Sequence, residues 1–262
     1  MVKYLAIGPG AMGLFGFIGI LTRLKQLGQL DDLEEISGAS AGALVAFVFA
    51  LSKGDTTKGL DFALSSPIGQ GMKPNIKSLL NQYGLASGSK LRKLITAGVQ
   101  QFMGKDDCTF QELWEWHPIK VHVSSYCVDS EKTVYFSVDS TPTMSVVDAI
   151  RASISVPFLI PPLKLNNDWN YIDGGVSEQV PGAPFLGKNR EEVLMLMMEW
   201  GLMPPIKDIK SYAMVILMSQ MRLRATYDFP KIVLNPKENV FDFGMSQEAK
   251  LKLFITGFSQ LI

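Results

Sequence analysis

The chain has 262 residues, 47% of them apolar, and 25 basic and 25 acidic side chains that cancel to a formal net charge of zero. That length and composition allow one large α/β domain with an ample core. The charge balance excludes a nucleic-acid binder that depends on bulk basicity, so no nucleic-acid partner is expected. The two cysteines, Cys108 and Cys127, lack metal-ligand spacing and read as reduced structural thiols, which places the chain in the cytoplasm.

In chain order, Val2 to Ile7 reads as a buried first strand and Gly8 to Gly13 as a turn. Leu14 to Leu27 reads as a helix with Phe17, Ile20, Leu21, Leu24 and Leu27 on one stripe and Gly28 as its stop. Tyr4 to Leu21 carries no charge, but Gly8, Pro9, Gly10, Gly13, Gly16 and Gly19 interrupt it, and Arg23 and Lys25 follow it in place of a cleavage site. Neither a signal peptide nor a transmembrane helix is expected there.

Leu33 to Ile36 reads as a short strand entering Gly38-Ala39-Ser40-Ala41-Gly42, and the run to Leu51 is apolar almost all round, as in a helix buried against a parallel sheet. Residues 52–116 read as mainly helical and less regular, including a helix capped by Ser89 that ends near Gly104, and form a lid-like insertion. Ile119 to Val128 and Thr133 to Val138 read as two strands around Asp129-Ser130-Glu131. Ser145 to Ser153 is helical, and Pro161 and Pro162 begin a loop into Tyr171-Ile172-Asp173-Gly174-Gly175. Val193 to Met198 reads as a buried strand, Ile206 to about Arg224 as an amphipathic helix, Lys231 to Asn235 as a strand and Ser246 to Leu261 as a last helix. No repeat or linker divides the chain. The alternation predicts a single domain over residues 1–262, a three-layer α/β/α fold with a mainly parallel central sheet.

The G-x-S-x-G pentapeptide around Ser40 sits where a strand meets a helix. A serine on such a tight turn is exposed beside helix N-terminal amides, the geometry of a nucleophile elbow. The plain alternative is a packing turn of small residues. A serine nucleophile needs a base, and no histidine follows residue 122, so a triad ending in histidine is excluded. His117 and His122 read as structural. Asp173, held before Gly174-Gly175, is the best carboxylate to act directly on the serine.

Gly8-Pro9-Gly10-Ala11-Met12-Gly13 matches G-x-G-x-x-G after a strand and before a helix, a dinucleotide fingerprint when taken alone. Glu34 and Glu35 stand near the distance of a ribose-binding acid, but they precede the apolar step at Ile36. A nucleotide-binding oxidoreductase is therefore one rival reading. The other use of the loop is an oxyanion hole. Pro9 has no N–H, so Gly10, Ala11 and Met12 would supply donors, with Ala41 adding one more.

These three motifs in this order resemble the patatin-like phospholipase family. Asp148-Ala149-Ile150-Arg151-Ala152-Ser153, Val156-Pro157-Phe158 and Pro161-Pro162 are similar to the family's segment before its aspartate. Thr109-Phe110 with Leu113, and Phe241-Asp242-Phe243 with Gly257-Phe258, extend the resemblance over nearly the whole chain. The resemblance implies a serine–aspartate dyad of Ser40 and Asp173, an oxyanion loop through Gly10 and Ala11, and an acyl-enzyme later hydrolysed by water. It implies no cofactor and no metal. It implies acyl-ester lipids, usually glycerophospholipids, as substrates, met through transient peripheral contact with membranes. The family's loop usually carries a basic residue where Met12 stands, and commonly glycine where Pro9 stands. An inactive lipid-binding relic of the family is the second rival reading. Trp114 and Trp116 are candidates for an interface, with a buried pair as the alternative. The last helix reads as a docked core helix.

Overall fold

A computed structural model describes residues 1–68, 83–86, 88–165, 168–200, 205–207, 211–212, 215–216, 219 and 226–260. β1 (Tyr4–Ile7) leads through a 3-10 turn at Ala11–Gly13 into α1 (Leu14–Gln26), and β2 (Glu35–Ala39) leads into α2 (Ala41–Leu51). α3 (Thr56–Ser65), α4 (Gly88–Met103) and α5 (Phe110–Trp116) make up the helical insertion. β3 (Lys120–Cys127), β4 (Lys132–Phe136), α6 (Val146–Ser153), β5 (Leu163–Lys164) and β6 (Asn170–Asp173) follow, then β7 (Val193–Met198), β8 (Lys231–Leu234) and α7 (Gln247–Phe258).

The strands form one sheet in the order β5-β6-β3-β2-β1-β7-β8, with β4 paired to β3. β8, β7, β1, β2 and β3 run parallel, whereas β4 and β6 lie antiparallel to β3. The fold is a mixed α/β fold with a mainly parallel central sheet. The main core joins one sheet face, through Leu5, Ile7 and Leu196, to the helices, and a smaller cluster of Tyr4, Ala6, Val180, Phe185, Val193 and Met195 covers the other face. Ten of the eleven residues of α2 are buried, with Leu44 the exception. α7 docks on α1 so closely that a Cβ at Gly257 would lie 1.9 Å from the Gly16 carbonyl oxygen. The glycines that interrupt the first apolar run are thus, in part, helix-packing positions.

Three readings need correction. The second strand is Glu35–Ala39 rather than Leu33 to Ile36, because Ser37, Gly38 and Ala39 are small and buried between two parallel neighbours and carry no apolar pattern. The stretch before Asp173 is not a plain loop: β5 and β6 pair within it, Leu163 opposite Tyr171. α7 ends at Phe258, ahead of Leu261. The helix read from Ile206 to Arg224 falls mostly outside the described residues.

Candidate functional site

Strand β3 places the two sides of the site. Its first half pairs with β2, ending at Ala39 opposite Ser124, and the next residue, Ser125, lies opposite Asp173 at the end of β6. Ser40 follows Ala39 directly. Two residues 133 positions apart in the chain therefore reach the same end of the sheet because adjacent residues of one strand hold their backbones.

Ser40 occupies the left-handed region, with φ 55° and ψ −120°, as the N-cap of α2. A non-glycine residue held there stores on the order of 1–3 kcal/mol of strain, which the surroundings must offset. They do so through a hydrogen bond from the Ser40 N–H to Ser153 Oγ at 3.0 Å. The first turn of α2 also abuts the end of β1: a Cβ at Gly42 would lie 2.1 Å from the Ile7 carbonyl oxygen and 2.7 Å from that of Gly8. Only glycine permits that approach, which sets the elbow beside the glycine loop.

Asp173 is 4% exposed and Ser40 7%. The Asp173 carboxylate accepts the Gly175 N–H at 2.7 Å, and the Asp173 N–H donates to the Ser155 carbonyl at 3.0 Å. Gly174 backs onto the Ser124 carbonyl, and Gly175 packs against the Pro9 ring. The Gly174-Gly175 turn and the glycine loop thus support each other, and Pro9 is one of the contacts.

In the glycine loop Ala11 has φ 47°. Gly10 caps the 3-10 turn, Ala11 opens it and Ala41 opens α2, positions whose N–H groups have no acceptor within their own helix. Met12 is different. Its N–H donates to the Val240 carbonyl at 3.0 Å, and that of Gly13 to the Gly10 carbonyl at 2.8 Å. Met12 is therefore removed from the candidate donors, while Gly10, Ala11 and Ala41 keep that capacity. Gly8 continues the β1 pairing by donating to the Leu196 carbonyl, and Gly38 lies within β2.

Ser40, Ala41, Gly10, Ala11, Asp173 and Gly175 all line one cavity of about 80 Å³ that opens to solvent. Its remaining described walls are apolar or aromatic, including Leu14, Leu44, Leu91, Ile160, Trp200 and Phe243. Ser40 supplies the only hydroxyl and Asp173 the only carboxylate among them. Ile68 and Leu91 show that the helical insertion contributes to the wall.

Sequence reasoning overlooked the role of the last turn of α6 and the residues just after it. Ser153 holds the Ser40 backbone and Ser155 the Asp173 backbone. Arg151, 4% exposed, donates through Nε to the Gly88 carbonyl, through Nη1 to Ser155 Oγ and through Nη2 to the Pro161 carbonyl. Burial pulls its pKa down to about 10. The signal available in the sequence was a buried-type helix ending in Arg-Ala-Ser-Ile-Ser, polar residues with no face of their own.

The other candidates lie elsewhere. Glu35 stands opposite Tyr4 at the start of β2, roughly 10 Å of strand away from the loop end where a ribose-binding acid belongs. Its carboxylate instead pairs with His122 Nε2 at 2.8 Å and Lys188 Nζ at 3.1 Å. The hydrogen bond from His122 and the Lys188 ammonium bring its pKa down to about 2 against the opposing effect of burial. The Trp116 indole donates to the Leu51 carbonyl at 2.9 Å. That is the far end of α2 from Ser40, roughly 16 Å along the helix, so Trp114 and Trp116 do not flank the cavity mouth. Among the described residues no helix is long and apolar enough to cross a membrane.

A buried serine on a strained strand-to-helix turn, an aspartate in a glycine turn and a glycine loop thus line one cavity at one end of a mainly parallel sheet. The model of the patatin-like phospholipase family matches residues 5–186, and the chain belongs to that family. It is 28% identical over 101 residues to the "Probable lipid hydrolase 463L" of Invertebrate iridescent virus 6, covering 38% of this chain and 34% of that protein. It is also 28% identical over 147 residues to the uncharacterized protein R571 of Acanthamoeba polyphaga mimivirus, covering 55% and 48%. The chain thus spans less than half the length of either viral relative. Among solved structures it is similar in fold to VipD from Legionella pneumophila, with a TM-score of 0.71 at 17% identity over 99% of this chain and 66% of VipD.

Proposed function

We propose that this chain is a serine-dependent lipid acyl hydrolase that cleaves carboxylic ester bonds of glycerophospholipids. The observation that carries the reading is the cavity: a largely apolar space lined by both Ser40 and Asp173, with Gly10, Ala11 and Ala41 at its wall in helix-start positions whose N–H groups have no acceptor within their own helix. An apolar pocket with a few convergent polar groups suits an acyl chain presented to a nucleophile.

In this reading Ser40 Oγ attacks the ester carbonyl carbon while its proton passes to Asp173. The carbonyl π electrons move to oxygen, and the oxyanion is received by the N–H groups of Gly10, Ala11 and Ala41, each worth roughly 3–4 kcal/mol by analogy with measured oxyanion donors. Collapse breaks the bond to the alcohol, which takes the proton back from Asp173. Water then attacks the acyl carbon with Asp173 again accepting a proton; collapse breaks the bond to Ser40 Oγ, which takes that proton back, and the fatty acid leaves. An aspartate is a weak base for a hydroxyl in water. Burial of both partners and the fixed donors are what support its use here.

Phe158 and Tyr83 supply the contact with the lipid surface. Phe158 is 50% exposed and Tyr83 70%, both with left-handed backbone, φ 66° and 62°. Gly84 bridges to Phe158, whose neighbours Pro157 and Leu159 line the cavity. Exposed aromatics at a pocket rim suit an interface that is apolar on one side and wet on the other.

The test is labelling with a fluorophosphonate and turnover of a phospholipid and a soluble ester. The wild type is expected to form one adduct at Ser40, and Ser40→Ala and Asp173→Asn to lose turnover while remaining folded. Absence of adduct on folded wild-type protein, or turnover that survives Ser40→Ala, overturns the reading.

A further inference from the structure

The stretch that follows the Asp173 turn carries a buried carboxyl with no part in the chemistry above. Glu178 is 5% exposed and accepts hydrogen bonds from two phenols, those of Tyr135 and Tyr227. Tyr135 stands on β4, and Tyr227 stands ahead of β8, where its ring packs against Gly182. Burial raises the Glu178 pKa while the two phenols pull it down, and no described cation acts on it. A carboxyl taken out of water is costly and persists where its hydrogen bonds are met. A turn that needed only packing would be served by an apolar side chain.

The residues on either side of Glu178 bear on the two halves of the site. Toward Asp173, Ser177 donates through its N–H and its Oγ to the Gly174 carbonyl, each at 3.3 Å, and Thr133 Oγ1 donates to Ser177 Oγ at 2.8 Å. Toward the glycine loop, a Cβ at Gly8 would lie 2.7 Å from the Gln179 carbonyl oxygen. Tyr135 ties the same stretch to the elbow: it lies opposite Ser124, which lies opposite Ala39, the residue before Ser40.

We propose that Glu178 is a positioning residue for Asp173 and the glycine loop, and that Tyr135 and Tyr227 form the clamp that holds it. Glu178 lies outside the cavity lining, so it acts through the backbone from Ser177 to Gln179. Fixing that backbone fixes the Asp173 turn against the glycine loop, where Gly175 meets Pro9. A base or an oxyanion donor displaced by a fraction of its reach costs rate far more than binding. The effect on rate rests on the hydrolase reading, but the clamp itself does not.

The experiment compares two variants of the full chain, each kept well below its melting temperature. Glu178→Leu keeps the bulk and removes the acceptors. Glu178→Gln can accept from one phenol and donate to the other. On a soluble ester, Glu178→Leu should lose at least about tenfold in kcat with KM within about twofold, and Glu178→Gln should recover to within about threefold of the wild type. Tyr135→Phe combined with Tyr227→Phe should lose as much as Glu178→Leu, and adding Glu178→Leu to that pair should cost nothing further. The tyrosine pair carries the test if Glu178→Leu does not fold. Amide hydrogen exchange in the variants should quicken over 174–182 and stay unchanged in α1 and α2. An unchanged kcat in folded Glu178→Leu or in the tyrosine pair, a Gln variant no better than the Leu variant, or exchange that quickens equally throughout the fold overturns the proposal. Exchange that quickens over 174–182 alone, in a protein whose wild type shows neither adduct nor turnover, overturns the hydrolase reading instead and leaves the clamp standing.

Discussion

The backbone N–H of Ser40 donates to Ser153 Oγ at 3.0 Å across 113 residues of chain. That bond holds the strained turn of the elbow from outside. Its acceptor belongs to the helix whose next residues hold Asp173, so one short segment sets the backbones of both Ser40 and Asp173.

Ser153→Ala leaves the Ser40 N–H buried without its acceptor. The expected cost is roughly 1–3 kcal/mol, a fall in Tm of about 2–4 °C per kcal/mol for a domain of this size. Because the hydroxyl positions the nucleophile and does not face the lipid, kcat should fall about tenfold with KM within about twofold. A lower Tm with unchanged kcat would show that the bond serves stability alone.

Arg151→Lys keeps the charge and loses the fork. An ammonium cannot reach the Gly88 carbonyl, Ser155 Oγ and the Pro161 carbonyl together. Each carbonyl left without a donor costs roughly 1–3 kcal/mol. Urea unfolding should show a lower midpoint at an unchanged slope. An unchanged midpoint would mean that the three contacts contribute nothing net.

Glu35 makes the acid limb of stability predictable. Its folded pKa, about 2, lies below the usual 4.5, so the folded state favours the ionised form. The stabilisation is fully present above the unfolded pKa and is lost as pH falls from about 4.5 through about 2, about 3 kcal/mol in all. Glu35→Gln should be less stable at neutral pH and lose less stability over that window. Parallel acid-unfolding curves for the two proteins would contradict the assignment.

Phe158→Gly removes an exposed aromatic from a left-handed position that glycine accepts. Stability should stay within about 1 kcal/mol of the parent. Sedimentation with anionic phospholipid vesicles should fall several-fold, more so when combined with Tyr83→Ser, while turnover of a soluble ester persists. Equal loss on vesicles and on soluble ester would place Phe158 in the cavity's chemistry rather than at the lipid surface.

Much of the site was legible from residue type and local order. Gly38 to Gly42 between a strand and an apolar helix, Asp173 before two glycines and a glycine loop after the first strand are local patterns. The absence of any histidine beyond residue 122 directed the choice of base to a carboxylate. Less was legible where a residue's task depends on a distant partner. Met12 looked equivalent to Gly10 and Ala11 until Val240 accepted its N–H. Trp114 and Trp116 read as candidates for an interface from sequence, and only the fold shows Trp116 held at the Leu51 end of α2, away from Ser40.

The chain's own order supplied the chemical groups and the turns that present them, because a tight turn and its glycines are dictated by neighbours in sequence. The tertiary structure alone brought them together. Adjacent residues of β3 hold the ends of β2 and β6, Ser153 and Ser155 hold the two backbones, and the glycine loop, α2, the helical insertion and the Asp173 turn line one cavity together. Pairing register and cavity shape arise from contacts between distant segments, and no local pattern encodes them.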